Sequence, residues 1–425
     1  MYLIGIAEAR GDEHRAIRQP VEEFRLTAVL IARQLVGERR IPWRNALQHE
    51  VAAFTAQRDG GLLSFAGARA NEKSEGRENE RGETPHEVSC VHAFAMVPET
   101  HTRTQALMPE PRITRHPYGV TAVDTEYIRP GLAAAHIIQH AGHAAFVDVG
   151  TTHSVPYLLA ALDQLGIPRS AVDYVFLTHV HLDHAGGAGA LMQALPNAKA
   201  VLHPRGAPHL IEPEKLIAAS KTVYGEELYL RLYGDIVPLP AERVIVTKDK
   251  QRLALADREF ELIFTPGHAL HHHCVVDLKH PAVFTGDTFG LSYRELDTSK
   301  GAFIVPTTTP TQFDPDQLIA SIDRMLEYKP DAMYLMHYSR VTDVPRLGAS
   351  LKIQVRQLAD IALRNAKAPD MKAAIVADMR DLWMGLVRQH GCTLPDADVE
   401  ELLGQDMELN AQGLVVWIQR QQRAS

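Results

Sequence analysis

From about residue 113 onward the chain alternates short apolar runs with segments of helical spacing. Residues 135–140 and 144–150 read as the two strands of a hairpin around Ala141, Gly142 and His143. Residues 151–165 place Leu158, Leu159, Leu162 and Leu165 on one face, which predicts a helix. A mostly buried strand follows at 172–177, a helix at 188–195 and another strand at 199–203. Residues 204 to about 240 break this alternation and predict helices laid over the mouth of a site, with Tyr224, Tyr229 and Tyr233 as candidate substrate contacts or as tyrosines with buried bodies and wet hydroxyls. Strand patterns return at 259–264, 274–277, 282–284 and 332–336. From Pro345 the spacing is helical, at 347–365 and 371–390 and in shorter segments at 395–403 and 409–421.

The first part of the chain differs. Residues 21–36 and 43–54 carry apolar residues at roughly helical spacing, but 67–84 is charged and poor in packing residues, and is expected to be disordered. It reads either as a helical accessory segment on a flexible tether or as a stretch foreign to the folded protein, with Met96 or Met108 the true start; the second is preferred. A chain of 425 residues exceeds one ordinary core. Two or three folded units are therefore expected, and the chain is divided into an extension over 1–112, an α/β unit over 113–344 and a helical region over 345–425, which packs on the sheets or forms a subunit contact, as in a homodimer.

The chemistry centres on Thr178-His-Val-His-Leu-Asp-His-Ala-Gly-Gly187, between the strand at 172–177 and the helix at 188–195. That places four side chains able to bind metal at a strand's carboxyl end, where open α/β sheets bind their ligands. In extended chain, side chains two apart point the same way, so His179 and His181 can grip one ion. Asp183 and His184 follow the turn and reach a second. Imidazole with carboxylate suits Zn²⁺, with Fe or Mn as substitutes. Three later strands also end in a candidate ligand: His268 after Thr265-Pro-Gly, Asp287 after Thr285-Gly, and His337. All seven candidates share one register, at strand ends or just beyond.

The net charge of −8 gives no basic footprint, so no nucleic-acid partner is expected. Cys90, Cys274 and Cys392 are scattered and fit a reducing compartment. No run of eighteen apolar residues occurs and the start is charged too soon for a secretory signal, so no membrane association is expected and the cytoplasm is the default.

In combination these motifs resemble the metallo-β-lactamase-fold hydrolases, over about residues 114–343. The resemblance implies an α/β (α+β) fold, an αββα sandwich of two mixed sheets with helices outside. It implies that His179, His181 and His268 hold one metal, that Asp183, His184 and His337 hold a second, that Asp287 bridges both and that Asp148 braces the metal loops. Asp287 and the lack of a motif Cys bring the chain closer to the glyoxalase II and lactonase side than to the classical β-lactamases. The flavin-linked diiron branch typically has Glu where this chain has His181.

The expected function is a dinuclear metal-dependent hydrolase, carrying two divalent ions, that cleaves an ester, thioester or lactone of a small acyl substrate. Two ions roughly 3.5–4 Å apart share a water whose pKa falls to about 7, giving a bridging hydroxide. Asp183 is counted as catalytic as well as ligating. His271 and His272 are candidates for supporting a ligand or for hydrogen-bonding the developing oxyanion, as is Tyr338; His273 and Tyr293 rank below them, and Ser339 receives no role. The alternatives are a phosphodiesterase or nuclease of the same fold, or an iron-dependent sulfur oxidoreductase.

Overall fold

The computed structural model describes residues 109–309 and 312–424. The helices expected at 21–36 and 43–54, the charged run at 67–84, Met96, Met108 and Cys90 lie outside the described residues. Within them the chain forms two sheets in sequence. Seven strands make the first: β1 (Ile113–Arg115), β2 (Val120–Asp124), β3 (Ala134–His140), β4 (His143–Val147), β5 (Val172–Phe176), β6 (Lys199–Leu202) and β7 (Val244–Val246), side by side in that order. β1 to β4 pair antiparallel, and β4 to β7 pair parallel. The β3–β4 hairpin closes where expected, over Ala141 and Gly142, both at positive φ (49° and 82°). That geometry matches the twist of the flanking strands.

The parallel strands need crossovers, and helices supply them. α1 (Val155–Leu165) joins β4 to β5; α2 (Leu182–Ala185) and α3 (Ala188–Ala194) join β5 to β6; α4 (Ala207–Ile211), α5 (Glu214–Tyr224) and α6 (Glu226–Tyr233) join β6 to β7. The second sheet contains β8 (Gln251–Leu255), β9 (Arg258–Phe264), β10 (His273–Asp277), β11 (Ala282–Gly286), β12 (Ala332–Leu335) and β13 (Ser339–Val341), again in chain order. Only β11 and β12 pair in parallel, and α7 (Pro315–Leu326) joins them. Between the layers, Ile138, Ala145, Val147, Phe176 and Val201 of the first sheet pack on Phe260, Leu262, Val275, Phe284 and Tyr334 of the second. The fold is thus two mixed sheets flanked by helices.

Three helices end the chain: α8 (Val344–Arg364), α9 (Met371–His390) and α10 (Asp396–Ala424). The two short helices read at 395–403 and 409–421 are one continuous helix. Leu403, Met407, Leu409, Ala411 and Leu414 are all buried, so an apolar stripe runs through the polar stretch around Gly404, Gln405 and Asp406. Burying it outweighs the weak helix propensity of Gly404 and Asp406. No helix among the described residues is long and apolar enough to cross a membrane.

Candidate metal centre

Five strands deliver the site from their carboxyl ends. β4 leads into Asp148, β5 into His179 and His181, β9 into His268, β11 into Asp287 and β12 into His337; α2 adds Asp183 and His184. Gly286 makes the last turn before Asp287. Its φ is +47°, and a Cβ there would come within 2.5 Å of Thr178 Oγ1, so only glycine fits. Every one of the seven candidate ligands is buried. They form two sets: His179, His181, His268 and Asp287, then Asp183, His184 and His337, the donor atoms of each set lying within 4.8 Å of one another.

Hydrogen bonds at the far side of each ring decide which nitrogen faces inward. His337 Nδ1 donates to the Leu132 carbonyl at 2.9 Å and His184 Nδ1 to Asp148 Oδ2 at 2.9 Å. Thr178 Oγ1 donates to Asp148 and so accepts from His179 Nδ1 at 3.1 Å. Thr307 Oγ1 donates to the Asp287 carbonyl and so accepts from His268 Nδ1 at 2.9 Å. All four rings therefore aim Nε2 at the centre. His181 is turned the other way: its Nδ1 lies 2.8 Å from His179 Nε2 and 3.2 Å from His268 Nε2.

Asp287 stands between the sets. Its Oδ2 is 3.5 Å from His268 Nε2, while its Oδ1 is 3.2 Å from His184 Nε2 and 3.8 Å from His337 Nε2. Asp183 Oδ2 is 3.5 Å from His337 Nε2. The oxygens of Asp183 and Asp287 are buried and accept no hydrogen bond from backbone or hydroxyl groups; ring nitrogens of the other donors are what face them. Two buried carboxylates packed among imidazoles, with no backbone or hydroxyl donor, are costly unless a cation lies among them, whether a protonated ring or a metal ion. The donor set and its orphaned oxygens thus fit divalent metal.

The protonation pattern agrees at His179, His181, His268 and Asp287, while His184 holds a proton that a cation would have to displace. Burial, reinforced by neighbouring histidines, holds His179 and His181 well below the ordinary histidine pKa, and burial holds His268 at about 4. Neutral imidazole is the ligating form. Burial alone would raise the Asp287 carboxyl, but His184, His268 and His337 hold it well below the usual carboxylate range. Burial would likewise lower His184, yet Asp287, Asp183 and Asp148 outweigh it and hold the ring well above the ordinary range.

The other candidates fall around this cage. His272 stacks on His179 with centroids 4.8 Å apart. Its Nε2 accepts the Asp287 backbone N–H at 3.2 Å and its Nδ1 lies 2.8 Å from Thr265 Oγ1, so both nitrogens are engaged, one by Asp287 and the other by Thr265. His271 lies edge-on to His181, centroids 5.6 Å apart, and its buried Nδ1 has no partner. His273 Nδ1 faces Thr247. The Tyr338 phenol is raised to about 12 by burial and the charges of Asp124 and Glu126. Tyr293 donates to Asp406 Oδ2 at 3.0 Å, and Ser339 Oγ lies 3.3 Å from His136 Nε2. Tyr224, Tyr229 and Tyr233 are buried, and the hydroxyls of Tyr224 and Tyr229 are buried too rather than wet. The threonines that orient the rings received no role from sequence, although Thr178 opens the metal motif and 307–309 is a visible threonine run, and the α10 residues behind them were out of its reach.

A sequence model of the metallo-beta-lactamase superfamily matches residues 128–337. A metallo-beta-lactamase fold-containing protein of Sulfurisphaera tokodaii is 28% identical over 212 residues, 49% of this chain and 73% of that protein. A hydroxyacylglutathione hydrolase of Aeromonas hydrophila is 29% identical over 153 residues, 36% of this chain and 44% of that protein. Among solved structures, a metallo-beta-lactamase family protein from Thermus thermophilus aligns at 19% identity with a TM-score of 0.49, covering 73% of this chain and 92% of that one.

Proposed function

Residues 128–337 being a metallo-beta-lactamase superfamily domain, we propose that the protein is a dinuclear metal-dependent hydrolase of a small ester, thioester or lactone. The observation that carries this reading is the placement of Asp287, whose two oxygens face different donor sets. His179, His181, His268 and Asp287 would hold one ion; Asp183, His184 and His337, with the other oxygen of Asp287, would hold the second. Zn²⁺ suits both sets, with Fe or Mn as alternatives. When bound, such ions polarise an acyl carbonyl and bring the pKa of water down to about 7.

The chain's own residues do the rest. Asp148 and Thr178 fix His184 and His179, and His272 fixes the Asp287 backbone, so the cage is set before substrate arrives. His271, held neutral by burial with a pKa of about 3, offers its unpartnered Nδ1 side beside His181 as a hydrogen-bonding group for the acyl oxygen. Asp287 and the absence of a cysteine from the donor sets favour the glyoxalase II and lactonase side. The partial likeness to a hydroxyacylglutathione hydrolase puts thioesters first among substrates to try.

The test is metal analysis of the purified protein coupled to a hydrolysis panel of thioesters, lactones, aryl esters and phosphodiesters. We expect two equivalents of metal and turnover of an acyl substrate, lost on chelation and restored by reloading. Turnover of phosphodiesters alone, or no metal under any loading condition, overturns the proposal.

A further inference from the structure

We propose that Asn410, on the C-terminal helix α10, is a positioning residue for the first donor set, acting on His268 through the threonine run. The inference rests on reading that set as a metal site. Asn410 is 2% exposed and far in sequence from every candidate ligand. Its Oδ1 accepts the Thr308 N–H, its backbone carbonyl accepts Thr308 Oγ1 at 3.0 Å, and its Nδ2 donates to the Pro306 carbonyl at 3.1 Å. One turn on, Gly413 lets the helix backbone lie directly against the same segment: a Cβ there would stand 1.5 Å from the Thr308 carbonyl oxygen. The segment is docked to α10 from both sides of Thr308.

Thr307 and Thr309 point the opposite way, the alternation of extended chain. The Thr307 hydroxyl takes the His268 Nδ1 proton at 2.9 Å and gives its own to the Asp287 carbonyl at 3.1 Å; Thr309 Oγ1 lies 3.3 Å from the same His268 nitrogen. One hydroxyl thus holds two members of the donor set, and its place is set by Asn410. A second tie, Tyr293 to Asp406, joins α10 to the chain just past Asp287. Losing the amide frees the 306–309 segment, loosens the Thr307 acceptor and lets the His268 ring turn.

Cobalt loading tests this, with chelator competition for affinity and the visible d–d spectrum for ligand geometry. Asn410→Ala should weaken one of the two equivalents by about tenfold or more and alter its spectrum, the usual cost of removing an outer support of a ligand. Thr307→Val, at the other end of the relay, should do the same, and the double variant should add little. Leu403→Ala, two turns away on α10, controls for lost stability: it should lower the melting temperature with both equivalents and the spectrum intact. Should Asn410→Ala fail to fold, Thr308→Val removes the clasp from the opposite partner and reads the same effect. Unchanged affinity and spectrum in the clasp variants of a wild type that loads two equivalents overturns this inference alone. A wild type that binds no cobalt overturns it together with the metal reading beneath it.

Discussion

His184 Nδ1 donates to Asp148 Oδ2 at 2.9 Å, and both side chains are buried. Asp148 also accepts the Thr178 backbone N–H at 2.8 Å and the Thr178 hydroxyl. It does so from a left-handed backbone conformation, φ 53°, which an aspartate tolerates better than most residues. One carboxylate therefore orients members of both donor sets, His184 directly and His179 through Thr178. Asp148→Asn keeps the volume but puts an amide where three donors converge. Metal affinity should fall about 10- to 100-fold in both equivalents, read by chelator competition.

Asp287 is the shared member. Asp287→Ala should remove one equivalent of metal and cut turnover by about 100-fold or more, since the second set is then reduced to Asp183, His184 and His337. Metal content by elemental analysis, beside turnover of the best panel substrate, checks it. Two retained equivalents with full activity would contradict the shared placement.

Metal uptake should release protons. Without metal, Asp287, Asp183 and Asp148 keep His184 protonated to a pH well above the ordinary histidine range. A cation must displace that proton, so apparent affinity falls as pH drops. Calorimetric titration at neutral pH in buffers of different ionisation enthalpy should show about one proton released, and Asp183→Asn, which removes one of the three charges, should reduce it.

Acid should destabilise the fold through a histidine away from the cage. Burial lowers His136 to about 3, so the folded protein keeps this ring neutral while the unfolded chain protonates it near the ordinary histidine value of about 6.5. The unfolded state binds the extra proton between those values, and stability is lost as pH falls from about 6.5 toward 3. His136→Asn should flatten that part of the profile of denaturation midpoint against pH.

That the seven side chains converge was legible because they sit on short loops. The spacing of His179, His181, Asp183 and His184, and the strand-end positions of His268, Asp287 and His337, follow from local chain geometry, and the sheets deliver them together. What supports them was not legible, since it comes from far away. Asn410 reaches Thr308 across 102 positions, and Tyr293 reaches Asp406 across 113. No local pattern marks such partners. His272 illustrates the same limit: sequence placed it near the chemistry, while only the fold shows both its nitrogens committed to Asp287 and Thr265. The continuity of α10 was missed because a polar stretch looks like an ending until its buried face is known.

Each donor set takes members from both layers: His179 and His181 from the first sheet with His268 and Asp287 from the second, Asp183 and His184 with His337. A cation in either place would therefore be a rivet through the sandwich and would stabilise the folded state by mass action. The backbone already bridges the same seam, where Ala134 N–H meets the Met336 carbonyl at 2.8 Å and His273 N–H meets the Thr178 carbonyl at 2.9 Å. Stripping the ions should open that seam first, so these two amides should exchange with deuterium sooner than those in the strand centres.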